Sequence, residues 1–307
     1  MSDHRGTARV AQLHDGRRLS YLAIGPEDGA LVLYLHGAIG SPQSVSDDLR
    51  DTTHDLRIRY VMVNRPGFGD SDPAPGRTLL GFAQDAAALA DHLGHGRFAV
   101  VGVSAGGPYA LACAHELPSR LAAAAVVSSI APGGCATAGL PPPARLGLRV
   151  LRARPRTCAR AGDALLGIPR RHPRVVGRVI RAGAAPADRS LLATAEARDA
   201  AAVRFLAAAR GGVGGMIDDY LVCAGPWGFR LEDVRGLVQL WHGMQDALVP
   251  VDQAMHLVAA LPNVQAALHP DEGHFFYRRR LREILGSLAV AMARPSIRVV
   301  GDPRSPG

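Results

Sequence analysis

The 307-residue chain predicts an α/β architecture, with a mostly parallel central sheet, helices on both faces, and a helical segment inserted late. Three observations predict it. Short aliphatic, β-branched runs alternate with longer stretches of helix-forming residues. The alternation stops between Pro132 and about Trp227, where the composition stays helical and no strand pattern appears. One apolar run feeds Gly102-Val103-Ser104-Ala105-Gly106, a serine held between small residues where a strand turns into a helix.

The first strand is Arg18–Ile24, ended by the turn Gly25-Pro26-Glu27-Asp28-Gly29. Leu31–Leu35, Ile58–Val63, Phe98–Val101, Ala123–Val127, Leu237–Trp241 and Val264–Leu268 follow as apolar runs of strand length. Helical patterns occupy Thr78–Leu93, Ala105–Glu116, Val251–Leu261 and Phe275–Ala293. The expected division is a core from residues 1–131 and 228–293, a helical cap from 132–227, and a disordered tail from 294–307. Proline and glycine clusters, Pro132-Gly133-Gly134 and Pro141-Pro142-Pro143, mark the entry to the cap. There are no internal repeats.

Composition narrows the function. Hydrophobic residues make up 48% of the chain, yet no uncharged apolar run approaches the roughly 18 residues of a membrane span. The start, Met1 to Gly6, lacks the apolar run of a secretory signal. Cys113, Cys135, Cys158 and Cys223 show no metal or redox spacing, so reduced thiols in a cytoplasmic protein are expected. Every basic residue counted as Lys or Arg is arginine, which excludes a lysine Schiff base or a P-loop lysine.

The net charge of +8 is concentrated. Between Pro141 and Ala185 eleven arginines face a single acid, Asp163, so the rest of the chain is slightly acidic. This stretch is either a solvated basic face or a cover that attracts an anionic partner. The partners it would suit are an acidic carrier protein, a phosphate-bearing thioester or an anionic lipid surface. Nucleic acid ranks behind these, because no aromatic residue in the stretch can stack on a base.

A serine nucleophile needs a base to take its proton and an acid to orient that base. On a parallel sheet the partners follow the serine in the order acid, then histidine, each after a late strand. Leu237–Trp241 runs into a loop carrying Asp246, and Val264–Leu268 runs into a loop carrying His274. The helix opening at Ser104 directs its positive end at the hydroxyl. Two backbone N–H groups are required for the developing oxyanion. Ala105 supplies one, and the loop His36-Gly37-Ala38-Ile39-Gly40 the other, from Ala38 or failing that Ile39. His36 lies upstream of the nucleophile and is read as a support for that loop.

Five motifs in order resemble the α/β-hydrolase-fold serine hydrolases. They are His36–Gly40; Arg65-Pro66-Gly67-Phe68-Gly69-Asp70-Ser71; Gly102–Gly107; His242-Gly243 through Asp246 to Val249-Pro250; and Gly273-His274. The resemblance spans residues 36–274 and implies a triad of Ser104, Asp246 and His274, with no cofactor and no metal. It is nearly silent on substrate. One departure is Asn64, where the family commonly has aspartate before Arg-Pro-Gly, a turn position rather than a chemical one. Ser104 makes the epoxide- and halide-cleaving activities of Asp-nucleophile relatives improbable.

The segment Gly214–Phe229 resembles the return from a cap in bacterial members. Ile39, Tyr109, Trp227 and Phe276 are candidate substrate-binding residues, although core packing would also account for the aromatic ones. The expected function is hydrolysis of a small-molecule carboxylic ester or thioester through an acyl-enzyme, with an apolar acyl group of moderate size. Alternatives are a carbon–carbon bond hydrolase or aminopeptidase of the same fold, and a non-catalytic binding protein on this scaffold. An acidic carrier protein docked on the basic cap is the macromolecular partner to consider.

Overall fold

The computed structural model describes residues 8–38, 40, 45–133, 142–184 and 186–294. Eight strands form one sheet: β1 (Ala8–Gln12), β2 (Arg18–Ile24), β3 (Ala30–Leu35), β4 (Ile58–Val63), β5 (Phe98–Val103), β6 (Leu121–Val127), β7 (Val238–Gly243) and β8 (Val264–His269). Their spatial order is β1-β2-β4-β3-β5-β6-β7-β8. β1 and β2 pair antiparallel, β2 joins β4 antiparallel, and every pairing from β4 to β8 is parallel.

Parallel strands need crossovers, and the crossover helices cover the two faces. Among the described residues five α-helices lie outside the insertion: α1 (Asp47–Asp55), α2 (Leu79–His92), α3 (Gly107–Glu116), α10 (Val251–Ala260) and α11 (Tyr277–Ala293). Strand alternation decides which side chain meets which helix. Leu31, Leu33, Phe98 and Val100 pack with Phe82 of α2, Leu111 of α3 and Leu257 of α10. Val32, Ala99 and Val101 point the other way, onto Ile284, Leu285 and Leu288 of α11, with Leu49 of α1 at the margin. Thr78 caps α2 by accepting from the Gly81 N–H at 2.9 Å.

Two elements escape the sequence pattern. β1 is an edge strand that buries only Ala11, so it carries no alternation to read. α1 is almost wholly polar, with Thr52 and Thr53 its only buried residues; its local signals are at its start, where Ser46 Oγ accepts from the Leu49 N–H at 3.2 Å and Asp47 and Asp48 occupy the first turn.

Among the described residues, six α-helices and no strand lie between β6 and β7: α4 (Pro142–Ala153), α5 (Pro155–Leu165), α6 (Gly167–Arg171), α7 (Pro173–Gly183), α8 (Ala195–Ala208) and α9 (Gly214–Ala224). A 3-10 segment, Pro186–Leu192, precedes α8. Prolines open α4, α5 and α7, which divides the basic stretch into short pieces. All eleven arginines between residues 145 and 181 are exposed. The expected tail after residue 294 lies outside the described residues, as does Cys135; Cys113, Cys158 and Cys223 are free. No described helix is long and apolar enough to cross a membrane.

Two glycines with nearly the same backbone separate conformation from packing. Gly16 has φ +83° and open space around its Cα, whereas Gly25 has φ +80° and a Cβ there would collide with the Ile58 carbonyl oxygen. Gly16→Ala is expected to cost about 1–2 kcal/mol for the left-handed backbone alone. Gly25→Ala is expected to cost about 1–3 kcal/mol more from overpacking. Urea unfolding of both variants measures the difference.

Candidate active site

The loops of interest all leave the carboxyl ends of parallel strands, where open α/β sheets place their ligand sites. Ser104 directly follows β5, begins the 3-10 turn Ser104–Gly106, and leads into α3. Its φ is +55°, a left-handed conformation that a side chain ordinarily avoids. Close packing holds it there. A Cβ on Gly102 would strike the Gly106 carbonyl oxygen, and one on Gly106 would strike that of Leu35. The turn is therefore pressed against the end of β3, and a Cβ on Gly37 would stand 3.4 Å from the Ser104 Cβ.

His274 is fixed from several directions. Its Nδ1–H donates to Asp246 Oδ2 at 2.7 Å. The other oxygen, Asp246 Oδ1, accepts from the N–H groups of Leu248 and Val249 at 2.9 and 2.8 Å. An ionised carboxylate only accepts, so this network leaves Nε2 as the unprotonated nitrogen of the neutral ring. The His274 carbonyl accepts from Ser128 Oγ at 3.0 Å. The N–H groups of His274 and Phe275 donate to the two oxygens of Asp188, each at 2.9 Å. Asp188 is buried and comes from the insertion.

A second buried network supports the loop after β3. Arg65 and Asp219 of α9 form a fully buried pair, with Nε–Oδ1 at 2.9 Å and Nη2–Oδ2 at 2.7 Å. Arg65 Nη1 also donates to the His36 carbonyl, and Tyr109 Oη donates to Asp219 Oδ1 at 2.8 Å. Arg77 donates to the Pro66 carbonyl, and at 2.7 Å to that of Gly215. Burial alone would raise the Asp219 carboxyl, but the charges of Arg65 and Arg77 hold it below its ordinary value. His36 Nδ1–H donates to the Gly37 carbonyl at 2.7 Å, and Nε2 faces the Arg65 N–H at 3.4 Å. Burial, then the Arg65 charge, push His36 down to about 3. With both ring nitrogens engaged and the ring neutral, His36 supports its loop.

The sequence profile of the alpha/beta hydrolase fold matches residues 30–278. The chain belongs to the α/β hydrolase fold family. No curated protein matches this α/β hydrolase in sequence. Among solved structures, a hydrolase from Pseudomonas aeruginosa is 17% identical with a TM-score of 0.68, the match covering 94% of this chain and 99% of that one. An esterase from Rhodococcus sp. is 20% identical with a TM-score of 0.62, covering 92% and 98%. A meta-cleavage product hydrolase from Pseudomonas fluorescens is 17% identical with a TM-score of 0.63, covering 91% and 96%. At these identities the likeness is one of fold.

In this α/β hydrolase Ser104, His274, Ala38 and Ala105 all line one cavity of about 820 Å³. That volume suits a small organic molecule. The core contributes Tyr34 and Met62, while the insertion contributes Leu148, Ile180, Arg204 and Tyr220.

The aromatic residues expected at the pocket are elsewhere. Tyr109 is fully buried, bonded to Asp219 and edge-on to Phe82. Trp227 is buried in the core and donates to the Cys223 carbonyl at 2.9 Å, so it seals the return from the insertion. Phe276 is fully buried on the α11 face of the sheet. Each is the correct residue type for a pocket wall, but core burial claims a large ring first. Ile39 lies outside the described residues. Asn64 serves the turn as expected, donating to Ser20 Oγ at 2.9 Å. Asp188, Asp219, Arg204 and Arg278 went unrecognised as site residues because no local motif carries them.

Asp219→Asn is expected to leave Arg65 without a counter-charge and to cost about 3–5 kcal/mol in urea unfolding. His36 yields a pH test. Unfolded, it takes up a proton near its ordinary value of 6.5; folded, only near 3. Between those values the unfolded state binds more protons, so His36 removes stability as pH falls, by about 1.4 kcal/mol per pH unit. His36→Gln is expected to flatten the acid slope by about that amount between about pH 6 and 4, measured by urea titration at each pH.

Proposed function

We propose that this chain is a serine hydrolase that cleaves a carboxylic ester or thioester through an acyl-enzyme. The observation that carries the reading is the His274–Asp246 bond at 2.7 Å, made by a histidine that lines the same cavity as the strained Ser104. Ser104 Oγ attacks the acyl carbon while His274 Nε2 takes its proton. The carbonyl oxygen becomes an oxyanion, held by the N–H groups of Ala38 and Ala105. Collapse breaks the bond to the leaving oxygen or sulfur, which receives the proton from His274. Water then attacks the acyl-enzyme with His274 again as base, releasing the acid and restoring Ser104. Asp246 holds the Nδ1–H tautomer and stabilises the imidazolium formed in each half.

Asp188 and Arg65 act at one remove. Asp188 places the His274 backbone, and Arg65, anchored by Asp219, places the carbonyls that shape the loop carrying Ala38. Helices α4 to α9 serve as a cap, since side chains from α4, α7, α8 and α9 form the far wall of the cavity. The exposed arginines of the cap leave docking of an acidic carrier protein as a reading that rests on charge alone.

A fluorophosphonate probe is expected to add one covalent adduct to wild type, mapped to Ser104, and none to Ser104→Ala. Ser104→Ala and His274→Ala are expected to lower kcat by about 10⁴-fold or more, and Asp246→Asn by less. Ester turnover by Ser104→Ala at the wild-type rate would end the proposal.

A further inference from the structure

One end of the cavity carries positive charge that the protein itself does not neutralise. Arg204 of α8 and Arg278 of α11 both line it, close to Tyr34 and Tyr277. Among the described residues neither guanidinium pairs with a carboxylate; Arg278 donates to the Tyr277 hydroxyl, and Arg204 has no such bond. The neighbours of Arg278 differ: Arg279 pairs with Glu272, Arg280 with Glu283, and Arg282 with Asp55. Arg278 instead lies over the Phe275 ring, 5.5 Å from its centroid.

Three acids need accounting for. Asp48 lines the rim, is exposed, and makes no ion pair with either arginine. Asp188 attracts Arg278 from further off, but both of its oxygens already accept from the His274 and Phe275 amides. Asp246 is committed to His274 and two further amides.

A neighbouring like charge and lost hydration both disfavour a charged guanidinium; Arg278 is exposed, and although partial enclosure would lower it, the neighbouring Tyr277 holds it above its ordinary value. Arg204 shows both effects: burial, then the charge of Arg278, push its guanidinium down to about 10. Burial, then the neighbouring Tyr277 and Tyr60, push the Tyr34 hydroxyl well above its ordinary value, so it remains a neutral donor. The other arginines at the centre of the molecule do have carboxylate partners: Arg65 and Arg77 both face Asp219 and donate to backbone carbonyls. A planar guanidinium fork suits a carboxylate bidentately.

We infer that Arg204 and Arg278, with Tyr34 and Tyr277, form a subsite for a carboxylate on the substrate, so that the enzyme takes half-esters of dicarboxylic acids. This rests on the serine hydrolase reading for the word ester, but the anion subsite stands on the two arginines. It adds a charged end to the apolar acyl group of moderate size that the sequence suggests: the wall is largely apolar, but Arg204 and Arg278 make one end cationic.

The test uses the full chain and monomethyl esters of the succinate-to-adipate series, each against its neutral dimethyl ester. Wild type is expected to show a higher kcat/KM for at least one half-ester than for its diester. Arg204→Gln and Arg278→Gln are each expected to lower that half-ester to diester ratio by about tenfold to a hundredfold. The readout is the ratio, so a general loss of packing, which lowers both rates, leaves it unchanged. Calorimetry with the same half-esters on Ser104→Ala, and on Ser104→Ala carrying Arg204→Gln, reads the subsite without turnover. Tighter binding of a half-ester than of its diester, weakened about tenfold or more by Arg204→Gln, supports the inference. A preference of wild type for the neutral diesters, or a ratio unmoved in both arginine variants, overturns it. If no ester is turned over and the probe leaves Ser104 unlabelled, the hydrolase reading fails, and the calorimetry alone decides the subsite.

Discussion

The buried pair between Arg65 and Asp219 is the contact on which the rest of this site depends. Arg65 follows β4, Asp219 belongs to α9 of the insertion, and the two are 154 residues apart in the chain. Around them gather the His36 and Gly37 carbonyls, the Tyr109 hydroxyl and the Arg77 guanidinium. Each group alone would be an unaffordable burial of charge or polarity; together they satisfy one another. A pair of this kind adds little net stability over an apolar replacement, but it is costly to break. Its effect here is to specify geometry. The loop after β3, helix α3 and the return of the insertion are held to one another through a single carboxylate.

Asp188 does the same for the opposite side of the cavity. It accepts two consecutive backbone N–H groups, at His274 and Phe275. Ser128, itself at φ +46°, bonds the His274 carbonyl from the end of β6. The histidine backbone is thus fixed by one group from the sheet and one from the insertion, while its ring is turned by Asp246.

Much of this was legible in the sequence, because the signals are local. Strand runs such as Phe98–Val101 are buried on both faces and read as unbroken apolar segments, and the structure extends that one only to Val103. The motifs around Ser104, Asp246 and His274 are each a few residues long and directly follow a strand. What could not be read depends on partners far apart in the chain. Asp188 and Asp219 look like two scattered acids of a helical segment until folding brings them to His274 and Arg65. Tyr109, Trp227 and Phe276 failed as pocket residues for a related reason: a large ring near a motif is as well suited to the core as to a cavity wall. The polar helix α1 and the edge strand β1 left no hydrophobic pattern because each buries almost nothing.

The two carboxylates donated by the insertion alter what kind of object it is. A cover that merely rested on the core could be removed, exchanged for another, or swung aside, leaving the chemistry beneath it intact. Here, lifting the whole segment would strip the amides of His274 and Phe275 and leave Arg65 charged in a dry interior. By contrast, α5 and α6 contribute no buried residue, so the ties between insertion and core lie elsewhere in the segment. For anyone building chimaeras on this scaffold, the seam between core and insertion runs along the cavity, so a transplanted segment must bring both acids with it.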